Sequence, residues 1–346
     1  MQLVLFLGHT ESDGTLAKVA LEAVGATTDL SKTLGGPLVV GLYGADAQSA
    51  ANTIGGCGAQ RFLAVTGDDF AQPRYATDAA ACEALVRASE ATIIVAAGTS
   101  RNARVLAGVA QRVGGCIDTH VTSLSAAADC LTVTRWFYRQ RIEGSLARTR
   151  RPWILLLDPS AQTAWQGNAG AAQVECISVA VPETLRRTTV QGIVTPPADQ
   201  HTIRPDAKLL FVAGAGWTKK QKDGQTYVAQ AETLIRDFLK NSKASLGGSK
   251  SLVELSGENQ AALGFMGHLN QVGQTGASPR HPKGLSTCCH GEEPHTVGWR
   301  FISERRAINL DPNCGWARGK ADVLYVADAF EVMAKLNALL SSQATS

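Results

Sequence analysis

The chain has 346 residues, 33 Lys plus Arg against 30 Asp plus Glu, 45% apolar residues and 34 glycines; at about 150 residues per domain this fits two domains or one large one and excludes disorder as the main state. A net charge of +3 with 18% charged residues makes no polybasic field for nucleic acid or an anionic membrane surface. The longest apolar runs, such as 153–157, fall far short of the roughly 20 residues that cross a bilayer, and the apolar start lacks a charged flank or a small-residue cleavage site, so no secretory signal is expected and the cytoplasm is the default.

In chain order, a strand is predicted over 3–8, a turn at 12–14 and a helix over 15–24, where Leu16, Val19, Ala20 and Ala23 share a face. Strands follow at 38–43, 61–65, 92–97, 131–137 and 153–157, with helices notably over 78–88 and 101–112. Short β-rich runs alternating with alanine-rich helical stretches are the mark of βαβ units, so the first half reads as a doubly wound α/β domain whose sheet is covered on both faces. After Leu185 the periodicity stops, and 186–208, with Thr-Pro-Pro at 195–197 and Pro205, reads as an interdomain linker.

The pattern restarts with a strand at 209–213 that ends in Gly214-Ala-Gly216. A helix over 225–240 follows, with Ala229, Leu234, Phe238 and Leu239 on its expected buried side, then strands at 285–289, 307–310 and 323–326 and a closing helix over 329–340. This is a second α/β unit. The domains are therefore expected at 1–190 and 208–346, joined by 191–207, with no transferable repeat and a polar, frayed tail after Leu340.

The eight cysteines form no Cys-x-x-Cys pair and match no zinc or iron-sulfur spacing, so most are expected to be buried, inert thiols in a reducing compartment. The stretch Gln271-Val-Gly-Gln-Thr-Gly276 is the most informative. Its glycines allow close backbone approach, while Gln274 and Thr275 offer the directional hydrogen bonds a flat heterocycle requires; the plain alternative is a polar surface turn. A second cluster runs from Cys288 and Cys289 through His290, Gly291, Glu292, Glu293 and Pro294 to His295. It reads as a metal site, as a Glu293/His295 acid-base pair or, preferred here, as a strand end and helix start that meet an anionic ligand with backbone amides and an imidazole.

Gly214-Ala-Gly216 alone is a weak dinucleotide fingerprint, lacking the third glycine and the downstream acid. Ser249-Lys250 lies in a glycine-flanked turn before a helical run, where a lysine is ordinarily a solvated charge. Arginines 135, 139, 141, 148, 150 and 151 form a basic stretch interleaved at first with Trp136, Phe137 and Tyr138. An RNA surface is imaginable there, but the near-neutral whole favours a solvated rim or a subunit contact.

Taken together, the second half resembles the α subunit of electron transfer flavoproteins, as a divergent bacterial member. The pieces appear in the family's order: Val-Ala-Gly-Ala-Gly-Trp from 212, Ser-Lys-Ser-Leu-Val-Glu from 249, the intact hexapeptide at 271–276, His-Gly-Glu-Glu-Pro-His from 290, Ala-Ile-Asn-Leu-Asp from 307 and Val-Ala-Asp from 326. These motifs cover about the last 140 residues; the first 190 match in their βαβ rhythm and in fragments such as Phe6-Leu-Gly-His9.

The resemblance implies a C-terminal flavodoxin-like domain that binds FAD and an N-terminal α/β domain that packs on an electron transfer flavoprotein β subunit in a heterodimer. It also implies an electron carrier rather than a catalyst of substrate bond chemistry, passing electrons from a flavin dehydrogenase to a quinone reductase or an iron-sulfur acceptor. Carried over by position, Thr275 faces flavin N5, Gln274 and Gly276 shape the pocket, and His295 approaches the N1/C2-carbonyl end. Gly214 belongs to the glycine segment, and Ser249, His290, Gly291, Asn309 and Asp328 contact the flavin or its ribityl-adenosine tail. Family relatives are thought to swing the flavin domain on its linker, with which the proline-rich segment is compatible.

This chain departs from the family in several places. Lys250 stands for an arginine over the isoalloxazine and loses its planar fork. Gly216 stands for an arginine near the pyrophosphate, with Lys219 and Lys220 close enough in sequence to substitute, and Pro294 stands for a glutamine. Glu292 and Glu293 replace apolar residues, which predicts a lower one-electron potential than in typical relatives. An insertion at 312–319, with Cys314, Trp316 and Arg318, reads equally as a docking element or a surface excursion. These departures keep a rival open, a flavin-free structural subunit of a larger oxidoreductase complex; a third possibility is a hydrolase or metalloenzyme centred on 288–295.

Overall fold

Val4–His9 (β1) buries Val4, Leu5, Phe6 and Leu7 almost completely, and a strand apolar on both sides needs helices on both faces of its sheet. In the computed structural model, which describes residues 2–127, 130–138, 142–192, 203–204, 207–254, 263–273, 278–287, 301–314 and 321–343, those helices are present. The chain divides into two units, Met1–Val194 and Thr195–Ser346.

In the first unit β1 is followed by α1 (Lys18–Leu34), β2 (Leu38–Gly44), α2 (Gln48–Thr53), β3 (Arg61–Thr66), α3 (Asp68–Ala71), α4 (Tyr75–Ser89), β4 (Ile93–Ala97) and α5 (Ser100–Arg112). Then come β5 (Cys116–Ala127), β6 (Cys130–Phe137), β7 (Ile142–Leu146), β8 (Trp153–Leu157) and β9 (Val174–Cys176). Among the described residues the sheet runs β7-β6-β5-β8-β4-β1-β2-β3-β9. Its centre, β3-β2-β1-β4-β8, is parallel and doubly wound, with Val4 and Phe6 in the core beneath α1 and Leu5 and Leu7 in the core beneath α4 and α5.

Three expectations need correction here. The helix expected over 15–24 begins at Lys18 and continues to Leu34. Asp13 accepts hydrogen bonds from the Thr15 amide at 3.0 Å and from its hydroxyl at 2.6 Å, holding 13–15 in a turn, while Thr27 and Thr28 satisfy their hydroxyls on the carbonyls four residues back. The strand over 131–137 is the middle of an antiparallel extension, β5-β6-β7. Finally, the basic stretch is a solvated rim only in part: Arg148 and Arg150 are exposed, but Arg135 and Arg148 both bind the fully buried Asp118, at 2.8 and 2.9 Å, and Trp153 donates its indole N–H to it at 2.9 Å. Arg139 and Arg141 lie outside the described residues.

Gly25 explains why the helix looked shorter in the sequence. A Cβ there would lie 2.6 Å from the Thr163 carbonyl oxygen and 3.4 Å from the Trp165 amide nitrogen, a segment held to α1 by the Trp165 amide on the Leu21 carbonyl at 2.9 Å. A helical Gly→Ala change ordinarily gains about 1 kcal/mol. Gly25→Ala is expected instead to lose about 1–3 kcal/mol, because the colliding atoms are backbone and overpacking has no cheap relief. Denaturant unfolding measures this, and an unchanged or raised midpoint would contradict the close approach.

The second unit holds β10 (Leu209–Ala213), α6 (Val228–Ser242), β11 (Ser245–Gly248), α7 (Lys250–Glu254), β12 (His281–Thr287), β13 (Ile302–Asn309), β14 (Val323–Val326) and α8 (Ala329–Gln343). All neighbours in its sheet, ordered β11-β10-β12-β13-β14, are parallel. Numbered within the unit this is 2-1-3-4-5, the flavodoxin order. On α6 the buried residues are Ala231, Ile235 and Phe238; Leu234 and Leu239 are partly buried against the same core, but Ala229, expected inside, is exposed.

The two units also share a local device in the connection that follows their first strand. In the β1–α1 connection the Glu11 amide binds the Thr15 carbonyl at 2.9 Å, Gly14 adopts φ +77°, and Asp13 accepts from the Thr15 amide at 3.0 Å. In the β10–α6 connection the Gln221 amide binds the Gln225 carbonyl at 2.8 Å, Gly224 adopts φ +79°, and Asp223 accepts from the Gln225 amide at 3.0 Å. Aspartate closes such a turn through its side chain, and glycine alone enters the left-handed region without a penalty.

Candidate functional site

In an open parallel sheet a ligand crevice lies beyond the carboxyl ends of the strands, where the strand order reverses. In the second unit that reversal falls between β10 and β12. Five of the residues singled out from the sequence meet at this edge. Gly214 follows β10 and donates its amide to the Thr287 carbonyl at the end of β12, at 2.9 Å. Ser249 follows β11, is fully buried, and donates its amide to the Ala213 carbonyl at 2.9 Å. Lys250 opens α7, with its ammonium exposed and 3.5 Å from Glu254. Asn309, which is buried, ends β13, and Asp328 lies just beyond β14.

Several of these side chains also hold local structure. The Ser249 hydroxyl accepts from the Leu252 amide at 3.1 Å. Asn309 accepts from the Asp311 amide at 3.0 Å. Asp328 accepts from the Phe330 amide at 2.8 Å and the Glu331 amide at 3.3 Å, capping α8. Gln274, Thr275, Gly276, His290, Gly291 and His295 lie outside the described residues, as do Cys288, Cys289, Glu292, Glu293, Pro294, Trp316 and Arg318. Their flanks are described. Val272 donates its amide to the Gly248 carbonyl at 2.9 Å, and Gly273 donates its amide to the Ser278 hydroxyl at 2.7 Å, which ties Val272 to the end of β11.

Sequence reasoning missed the residues that tie this edge together. Trp217 is fully buried, donates its indole N–H to the Thr287 hydroxyl at 2.8 Å and packs on Phe330 with ring centroids 4.6 Å apart. Gln221 reaches a small cleft shared with Asn309 and Asp328. The clue in the sequence was a tryptophan three residues past Gly214, an expensive residue for a surface loop. Exposed cations, buried hydroxyl and amide side chains and a carboxylate make a donor set suited to a dinucleotide, with its anionic diphosphate and ribose hydroxyls.

In the first unit the corresponding reversal lies between β1 and β4, and there the polar groups satisfy one another. His9 Nε2 lies 3.1 Å from the Thr99 hydroxyl, the buried Tyr43 hydroxyl donates to Asn102 at 2.8 Å, and Arg101 binds both Asp78 oxygens at 2.7 and 2.9 Å. Burial, followed by the Arg101 charge, pushes the His9 imidazole below its ordinary value.

Among the described residues no group of three or more His, Cys, Asp or Glu could hold a metal ion, and no helix is long and apolar enough to cross a membrane. Of the described cysteines, Cys57, Cys82 and Cys314 are buried, Cys116 is half-buried, and Cys130 and Cys176 are exposed. A family model described as electron transfer flavoprotein domain matches residues 4–184, a little over half of the chain. The match falls on the half in which the motif resemblance was thin. No curated protein matches the chain.

Proposed function

The chain belongs to the electron transfer flavoprotein family, and from that premise we propose that it is the α subunit of such a flavoprotein. It holds FAD at the carboxyl edge of its second unit and relays electrons from a flavin dehydrogenase to a quinone reductase or an iron-sulfur acceptor. The proposal includes a heterodimer with a β subunit against the first domain, 1–190, and a linker at 191–207 before a flavin domain at 208–346.

The observation that carries the reading is the convergence of Gly214, Ser249, Lys250, Asn309 and Asp328 on the carboxyl ends of β10, β11, β13 and β14 in a sheet of flavodoxin order. They come from segments as far apart in sequence as Gly214 and Asp328, and the parallel sheet brings them to the edge where such folds bind ligands. Bound FAD supplies the capacity to take and give electrons one or two at a time. The residues of this chain bind and orient it: Lys250 offers a cation, Ser249 and Asn309 offer buried polar groups, and the reading takes the remaining contacts from Gln274, Thr275, Gly276, His290, Gly291 and His295. An imidazole and backbone amides near the ring favour added negative charge there.

The test is the absorption spectrum of the purified chain with whatever copurifies, followed by mass analysis of the released cofactor. Flavin bands and about one FAD per chain are expected. A colourless preparation that FAD cannot reconstitute would overturn the reading in favour of the flavin-free subunit.

A further inference from the structure

Three aromatic rings run from the crevice edge of the second unit to its surface. Trp217 bridges the reversal of strand order: it follows β10, and its indole N–H donates to the Thr287 hydroxyl at the end of β12, at 2.8 Å. It is fully buried. Phe330, at the start of α8, lies against it with ring centroids 4.6 Å apart. Tyr227, the residue before α6, is exposed and meets Phe330 edge-on at 6.3 Å.

The connection from Trp217 to Tyr227 is pinned from within, which keeps this spacing. The Gln221 side-chain amide donates to the Gly216 carbonyl at 3.1 Å and to the Lys219 carbonyl at 2.9 Å, and the Asp223-Gly224 turn closes the far end. What points beyond packing is that far end. The Tyr227 hydroxyl donates to Asp223, which also accepts from the Gln225 amide at 3.0 Å. The tyrosine bond, followed by the amide, holds Asp223 below the usual carboxylate range, so an ionised base faces the phenol at neutral pH. Indole and phenol are readily oxidised side chains, and a phenol yields its electron far more easily when its proton can leave with it. Electron tunnelling falls steeply with distance, and the two ring-to-ring gaps are short.

We propose that Trp217, Phe330 and Tyr227 form an aromatic relay that drains an oxidising equivalent from the crevice edge to the surface, with Asp223 as the proton acceptor. The proposal takes its oxidant, a light-excited oxidised flavin, from the flavin reading above and adds a protective activity to it. Trp217 gives up one electron, Tyr227 replaces it across Phe330, and the phenolic proton crosses to the Asp223 carboxylate. The net change is one electron gained by the oxidant and one lost from Tyr227, and return of that electron and proton restores the chain.

The test is blue-light flash photolysis of the full chain with its copurifying partner and FAD, followed by transient absorption, which separates tryptophan from tyrosine radicals. In the wild type a tryptophan radical should give way to a neutral tyrosyl radical. Tyr227→Phe should lose the tyrosyl signal and keep a longer-lived tryptophan one, with FAD content unchanged. Asp223→Asn, which keeps an acceptor for the Gln225 amide, should slow the tyrosyl rise about a hundredfold, the scale of a lost general base. A tyrosyl signal unchanged in Tyr227→Phe, or no transfer from tryptophan in the wild type, would overturn the relay and leave the flavin reading standing. An unchanged rise in Asp223→Asn would overturn the proton step. If the chain carries no flavin, that reading falls, and ultraviolet photoionisation of tryptophan in the same proteins decides the relay without it: loss of tryptophan-to-tyrosine transfer in Tyr227→Phe supports it, and equal transfer overturns it.

Discussion

Asp118→Ala should destabilise the first unit by about 3–5 kcal/mol, the cost of removing one partner from a buried charge cluster. Asp118 is fully buried and accepts from Arg135, from two nitrogens of Arg148, and from the indole of Trp153, itself fully buried. Without the carboxylate, the exposed part of Arg148 can turn back to water, but the Trp153 N–H and much of Arg135 cannot. Asp118→Asn keeps an acceptor and should lose less.

Burial alone would raise the Asp118 carboxyl, but the hydrogen bonds from Arg148, Trp153 and Arg135 outweigh it and hold the group below its ordinary value. Its contribution is therefore fully present above the ordinary carboxylate range and is lost as pH falls through the folded value. Urea unfolding followed by tryptophan fluorescence should show the wild type converging on Asp118→Ala in acid. Equal stability of the two at neutral pH would contradict the assignment.

Arg101→Met should cost a similar amount, about 3–5 kcal/mol at neutral pH, through the opposite fault, a buried carboxylate that loses its hydrogen-bonded cation and keeps only the more distant Arg104, at 4.0 Å. Asp78 is fully buried and Arg101 nearly so; the guanidinium also donates to the Phe70 carbonyl at 2.6 Å and lies 5.0 Å from the Tyr43 ring centroid. Burial pushes the Asp78 carboxyl up, and Arg101 opposes that push. A group raised in the fold costs stability as pH climbs from the ordinary carboxylate range through the folded value, and removing Arg101 widens that window. Arg101→Met should thus recover stability on acidification, and Asp78→Asn/Arg101→Met should recover most of the loss at neutral pH. A double variant as unstable as the single one would show that the arginine acts through packing alone.

Much of the architecture was legible because apolar side chains alternate between strand and helix periods. Strands at 38–43, 61–65, 92–97, 153–157 and 323–326 are found within a residue of their expected bounds, since each is a β-branched or leucine-rich run too short to be anything else. The helix through Gly25 was cut short because glycine is normally a stop signal, and nothing local reveals the backbone of 163–165 lying against it. The antiparallel β5 and β7 were missed for a related reason. Their residues are half-exposed, so they carry little apolar signal, and their pairing depends on neighbours in space.

The candidate site divides along the same line. Motif order alone picked out Ser249, Lys250, Asn309 and Asp328, because helix starts and strand ends in such sheets use a narrow set of residues. It could not separate a ligand contact from a cap, and Ser249 and Asp328 prove to cap helices. Nor could it find Gln221, an ordinary polar residue whose role exists only through the carbonyls of Gly216 and Lys219.

By itself, then, the amino-acid order determined two α/β units, their parallel cores and the motif positions, because periodic burial and turn chemistry act over a few residues. Which arginines meet Asp118, which glycine admits a passing strand of backbone, and which strand ends face one crevice were decided by the tertiary structure. Those contacts join residues distant in sequence, and their energies are set by burial that no local pattern records.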